Sequence, residues 1–291
     1  MSHKKILIPI DFSDQSQIAL DQSYNLAREY KAEIMLLYVI EDNGFISKFF
    51  SKKQDAEIKK EVDKKLTKLA ASVKKKTGIN TGTMVARGSV YEKIAEVADM
   101  INALFIIMGA NSKKNIRKKF IGSNALRVVR EANVPVITIR GKQHRNGCKN
   151  IVLPLDLTKE TREKVNFALE LARLGDGAAI RIVSVLFTSD EFVVSRLTRQ
   201  LQQVKNFIEK EGVECTAEII KGVKGDESLA ESIIKYANKV DGDLLMIMTQ
   251  QEVDFTNRFI GSSAQEIINN SDIPVISIIP SMKRNLVFKP Y

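Results

Sequence analysis

Ile6-Leu-Ile-Pro-Ile-Asp11-Phe-Ser13 returns 145 residues later as Ile151-Val-Leu-Pro-Leu-Asp156-Leu-Thr158. In each copy a short run, apolar at every position, ends on an aspartate followed two residues on by a hydroxyl side chain. Four further pairs follow in the same order. Ile34–Ile40 matches Ile180–Leu186, and Arg87-Gly88 matches Lys221-Gly222. Phe120-Ile-Gly-Ser-Asn-Ala125 matches Phe259-Ile-Gly-Ser-Ser-Ala264, and Val134–Ile139 matches Ile273–Ile278. Ordered matches of this kind identify a duplication. The polar stretch Gly141-Lys-Gln-His-Arg-Asn-Gly147 separates the copies. The reading predicts two domains, 1–145 and 146–291.

Each copy alternates short apolar runs with longer amphipathic ones. In the first, 5–10, 34–40, 82–87, 104–108 and 134–139 read as strands, too short for helices. Between them, 14–30, 55–77, 90–101 and 122–131 carry apolar residues at helical spacing. Ile58, Val62, Leu66, Leu69 and Val73 form one such stripe on a segment whose other face is mostly lysine. Strand–helix alternation implies βαβ units and a parallel sheet. Leu104-Phe-Ile-Ile-Met108 is apolar throughout, as burial on both faces requires. The fold class is therefore α/β, with two tandem open, doubly wound, parallel five-stranded sheets.

Composition narrows the chemistry. The 291 residues include 45 basic and 35 acidic side chains, two histidines and two cysteines. So few histidines argue against a Ser-His-Asp triad or a histidine metal site. Cys148 and Cys215 have no CxxC spacing, and no zinc cluster is expected. No apolar run approaches the ~20 residues of a membrane span, and no membrane association is expected. The amino-terminal residues lack a signal-peptide pattern. A cytoplasmic protein is expected.

In open parallel sheets, ligands sit beyond the carboxyl ends of the strands, where the strand order reverses. That rule selects Asp11, then Val39-Ile40-Glu41, then Gly88, then Gly109–Ser112, with the helix near Gly122-Ser123 facing the same edge. Free amides at a helix start favour an anion. Bland readings stand beside each. Asp11 contacts a ligand or helps to start the helix after it. Gly109 admits a ligand or is a turn glycine. Ser112 and Ser123 touch phosphate, or serve as a loop residue and a helix cap.

Pro9-Ile-Asp11-Phe-Ser, Tyr38-Val39-Ile40, and Met108-Gly109 with Gly122-Ser123 thirteen residues on together resemble the universal stress protein family. The resemblance spans nearly the whole chain, twice. It implies an adenine nucleotide alpha-hydrolase-like, Rossmann-like fold. ATP-binding members show G-x2-G-x9-G-[S/T]; the string here is Gly109-x2-Ser112-x9-Gly122-Ser123, with the second glycine replaced. By that resemblance Asp11 bonds the adenine or ribose side, and Val39 lines the adenine pocket with Pro9 beside it. Met108 and Gly109 contact ribose and the first phosphates. Ser112, Gly122, Ser123 and Asn124 cradle the triphosphate, and any Mg2+ arrives with the nucleotide.

The second copy departs from this pattern. After Leu244–Met248 both early glycines are missing, and Glu252 and Asp254 would repel phosphate. Only Asp156, Val185, Gly261 and Ser262 remain, and Phe-Ile-Gly-Ser would survive there as a helix start. Charge follows the same asymmetry: residues 1–146 hold 27 basic and 15 acidic residues, and 147–291 hold 18 and 20. The lysine-rich 52–76 segment reads first as a solvated face.

The expected function is a stress-response regulatory protein that binds ATP in the first copy. It is not expected to be an enzyme: no GxxxxGK[ST] string occurs. The alternative is an interaction module with both sites degenerate. Expected partners are the nucleotide and an intramolecular pseudo-dimer of the two copies through their last strands; a homodimer is a further arrangement. Specific nucleic-acid recognition is not expected.

Overall fold

The computed structural model describes residues 4–41, 52–110, 123–141, 148–156, 161–174, 177–222, 225, 227–249 and 260–279. The chain divides into two compact units, one containing the described residues up to 141 and the other those from 148 onward.

In the first unit, β1 (Lys5–Pro9), β2 (Glu33–Glu41), β3 (Thr81–Gly88), β4 (Phe105–Gly109) and β5 (Val136–Ile139) alternate with four helices. These are α1 (Asp14–Glu29), α2 (Lys52–Thr77), α3 (Val90–Met100) and α4 (Ser123–Glu131). The strands lie in the order β3-β2-β1-β4-β5 and pair in parallel. The order reverses between β1 and β4. Right-handed crossovers therefore put α1 and α2 on one face of the sheet and α3 and α4, which pack together, on the other. Covered on both faces, Ile6, Leu7 and Ile8 of β1 and Ile106 of β4 have no exposed surface.

Element ends differ from the sequence expectation where local chemistry decides. β5 starts at Val136 instead of 134, because Pro135 has no N–H for the ladder and only its carbonyl takes part, accepting from Ile106 N at 3.0 Å. α2 starts three residues earlier than expected, at Lys52. β4 runs one residue further, so Gly109 and not Met108 ends it.

The second unit repeats the plan with β6 (Asn150–Pro154), α5 (Thr161–Leu174), β7 (Ala179–Leu186), α6 (Glu191–Lys210) and β8 (Glu214–Lys221). It ends with α7 (Leu229–Lys239), β9 (Leu244–Met248), α8 (Ser262–Asn270) and β10 (Val275–Ile278). Its order, β10-β9-β6-β7-β8, is the same when read from the other edge. The buried stripe of α5 (Lys164, Val165, Ala168, Leu169, Leu171, Ala172) falls on that of α1 at the offset of 145 set by Asp11 and Asp156.

Neither cysteine is in a disulfide, and both are buried. Burial pushes the Cys215 thiol up to about 12. A folded-state value above the unfolded one stabilises the fold fully below the unfolded pKa, and this contribution fades as pH rises toward 12. A thiol-reactive chromophore at pH 8 is expected to titrate no cysteine in the folded protein and both after denaturation. Rapid labelling of the folded chain would contradict this packing.

Candidate functional site

The chain turns sharply as it leaves β1. Asp11 Oδ1 accepts from the Ser13 amide at 2.9 Å and from the Ser13 hydroxyl. Ser13 in turn caps α1, its Oγ accepting from Ser16 N at 3.3 Å. Between them Phe12 sits at φ 58, a left-handed conformation that costs a bulky residue on the order of 1–2 kcal/mol. Its ring packs on Tyr38 with centroids 5.6 Å apart. The helix-starting role of Asp11 is thus real, but Asp11 acts through the turn and Ser13 is the cap. The Asp11 side chain also remains on an exposed residue at the sheet edge.

The first turn of α1 then crosses β4 to reach β5. Gln15 Nε2 donates to the Ile139 carbonyl at 2.6 Å, buried. The same carbonyl accepts from Ala110 N at 2.9 Å. This crossing is possible because β4 ends in glycine. A Cβ on Gly109 would lie 2.7 Å from Gln15 Cγ and 2.9 Å from the Gln15 carbonyl oxygen. Helix packing therefore requires the glycine, whatever else approaches it.

Beside this crossing a cleft of about 430 Å³ opens where the strand order reverses. Sites for small molecules run from about 300 to 1,000 Å³. Pro9, Asp11, Val39, Met108, Gly109 and Asn124 line it together. Ser112 and Gly122 lie outside the described residues. Ser123 opens α4, and its side chain also lies outside them, as do the lysines at 113–119. Glu41, which the strand-end rule selected, lines it too, with Tyr38 and Ser13 of the quoted motifs; Val90 and Ile94 of α3 and Ser16 of α1 are walls that sequence reasoning did not name. The helical stripe of α3 marks Ile94 as core, but nothing in the sequence marks it as reaching this edge.

The lining mixes apolar side chains with the hydroxyls of Ser13 and Ser16, residues of the first turn of α4, and two carboxylates, Asp11 and Glu41. No group of three or more His, Cys, Asp or Glu among the described residues could hold a metal ion. Also among the described residues, no helix is long and apolar enough to cross a membrane.

The equivalent edge of the second unit is occupied from within. Lys164, on the stripe position of Ala19, is 7% exposed. Its Nζ lies 3.4 Å from the Pro154 carbonyl and 3.6 Å from Asp156 Oδ1. Those residues correspond to Pro9 and Asp11, two lining residues of the first cleft. Met248 pairs with Ile278 as Gly109 pairs with Ile139, so a buried methionine stands in the place of the glycine. Thr249 Oγ1 donates to the Ile278 carbonyl at 3.2 Å, where the first unit uses Gln15. Phe187 lies against Gly222, where an added Cβ would overlap its ring. Gly261 is the N-cap residue of α8, and the Ile260 ahead of it is buried. That segment starts a helix and packs, as the sequence suggested; Glu252 and Asp254 lie outside the described residues.

The model of the Universal stress protein family matches residues 2–140 and again 147–278. A universal stress protein of Methanocaldococcus jannaschii is 29% identical over 140 residues, 47% of this chain and 82% of the relative. A second from the same organism is 29% identical over 156 residues, 48% of this chain and 96% of the relative. The crystal structure of a universal stress protein from Archaeoglobus fulgidus shares the fold at a TM-score of 0.77, with 18% identity, covering 96% of this chain and 97% of that one. The chain belongs to the universal stress protein family, as two tandem copies.

Removing the Lys164 ammonium leaves the Pro154 carbonyl and the Asp156 carboxylate without a buried cation. Lys164→Ala is expected to lower stability by about 1–2 kcal/mol, partly through lost stem packing. Lys164→Met, which keeps the stem volume, should lose less. Thermal denaturation of the two variants followed by circular dichroism checks the order.

Proposed function

We propose that the first unit binds an adenine nucleotide, ATP, and that the protein is a nucleotide-responsive stress regulator rather than an enzyme. One observation carries the reading. A cleft opens at the reversal of strand order in the first unit, gathering Pro9, Asp11, Val39, Met108, Gly109 and Asn124, whereas the matching edge of the second unit holds Lys164 and Met248. The family pattern of glycines and serine at 109, 122 and 123 belongs to the same copy.

In this reading the adenine lies by Val39, and Asp11 takes a hydrogen bond from the base or ribose. The phosphates run toward the start of α4, where unpaired amides and the positive end of the helix dipole favour an anion. Asp11 and Glu41 are both near the cleft, so the attraction has to come from local donors and from Mg2+ carried by the nucleotide. Cytoplasmic placement belongs to the same reading and is supported by two cysteines outside any disulfide. Ser112 in place of the second glycine favours the alternative, an interaction module with no ligand.

Isothermal titration with Mg-ATP is expected to give one site per chain. Gly109→Val is a poor probe, because its side chain would strike α1. Val39→Trp fills the base side of the cleft from a half-buried position and is expected to weaken binding at least tenfold, about 1.4 kcal/mol. Val185→Trp, the matching change in the second unit, should leave it unchanged. Phosphate release should stay at background. A null titration of folded protein would favour the ligand-free module, and turnover above background would restore the enzyme class.

A further inference from the structure

We propose that the outer face of α2 is a docking surface for the phosphate backbone of duplex nucleic acid, bound without sequence recognition. The proposal is independent of the nucleotide cleft and of the reading given for it.

Between residues 59 and 76 α2 carries eight exposed lysines and two acidic residues, Glu61 and Asp63, with Asp55 and Glu57 ahead of them on the helix. From residue 64 to residue 77 there are six lysines and no acid, along about 20 Å of helix at 1.5 Å per residue. Lys60, Lys64, Lys68 and Lys75 follow one another at steps of four, four and seven on the side opposite buried Val62, Leu66 and Val73. Like charges at four-residue spacing destabilise a helix. The last-turn cations Lys74, Lys75 and Lys76 are compensated by the helix dipole. Lys60, Lys64, Lys65 and Lys68 lie beyond its reach. Among the described residues only Lys76 of the eight enters an ion pair, with Asp21 at 3.2 Å. Glu57, Glu61 and Asp63 stand within one turn of Lys59, Lys60, Lys64 and Lys65, whereas Lys68, Lys74 and Lys75 have no acid of α2 within four residues.

Three classes of polyanion could meet such a row. An interfacial helix inserts an apolar face into the bilayer. Here that face is already buried in the unit, and of its stripe only Ile58, at 38%, is exposed. Single strands are gripped by aromatic side chains on which bases stack, and none lies on α2. A duplex asks only for point charges along a fixed line. Its strands carry one charge per about 1.7 Å of axis, and lysines neutralise them with release of counterions. Such contacts position a protein and read no bases. The excess of 27 basic over 15 acidic residues in 1–146 gives the whole first copy the same sign.

The test is fluorescence anisotropy of the full chain with a 24-base-pair duplex, in DNA and in RNA, from 25 to 200 mM NaCl. With four or five phosphates neutralised, log K should fall against log salt with a slope of about −4. Lys64→Glu/Lys68→Glu/Lys75→Glu should weaken binding at least tenfold at 50 mM and reduce the slope by about 3. The triple glutamine variant at the same positions should act in the same direction if the reversal fails to fold. Arg196→Glu/Arg199→Glu, exposed on α6, should leave binding within twofold. The proposal is overturned by absence of saturable duplex binding at 50 mM, or by triple variants that bind like the unaltered chain. Tighter binding to single strands, to phosphatidylserine-containing vesicles, or to one duplex sequence over another would overturn it equally.

Discussion

The cleft edge of the first unit depends on one close approach, that of the first turn of α1 to the last residue of β4. The Gln15 backbone sits where a Cβ on Gly109 would be, and from there the Gln15 amide reaches the Ile139 carbonyl at the end of β5. That bond ties the helix after β1 to a strand two places away, across the reversal of strand order. It holds the Asp11–Ser13 turn at the rim and fixes the floor of the cleft. A turn tight enough to cap α1 at Ser13 forces the residue between into a left-handed conformation, and contact with Tyr38 offsets part of that cost.

The second copy builds the corresponding edge from different side chains. Met248 fills the place of the glycine, and Thr249 rather than a helix side chain satisfies the strand-end carbonyl. The aspartate after β6 persists, but its neighbour is an ammonium from within the chain. The Lys164 ammonium is buried while the Asp156 side chain keeps 40% of its surface, so the carboxylate is the solvated partner of a cation held inside the unit. The two copies retain one sheet order while their edges differ in chemistry, as expected when a fold is maintained by its core and function lies in a few edge side chains.

Much of this was readable from pattern alone. The duplication, the five strands of the first copy and the parallel sheet whose strand ends border the cleft follow from hydrophobic period and strand–helix alternation, which are local properties. What pattern could not supply depends on which side chains meet across the fold. Gln15 is an ordinary polar residue in an amphipathic helix until the glycine beneath it is seen. Met108 and Met248 look alike as strand-ending methionines, yet register pairs Met248 with the place of Gly109. Tyr38, Val90 and Ile94 have the signature of core and happen to face a cleft. Lys164 did leave a trace: at the offset of 145 it falls on the buried stripe, where a lysine conflicts with its surroundings unless it has a partner. That local conflict was the available signal for a filled site.

The first unit also separates two ways of handling negative charge. The described lining of the cleft carries two carboxylates, Asp11 and Glu41, and no cation, so an anion placed there has to be held by oriented donors at short range. Such contacts are partly buried and little screened by salt. On α2 the reverse holds: the eight described lysines are exposed, and the proposed attraction would come from charge density and counterion release, which fade beyond about 8 Å at physiological ionic strength. The overall positive charge of the first copy can speed the arrival of either ligand, but it cannot make one surface do the work of the other. On the proposed reading, selectivity would belong to the cleft, whose geometry is tied to the α1–β4 approach, while α2 offers charge without shape.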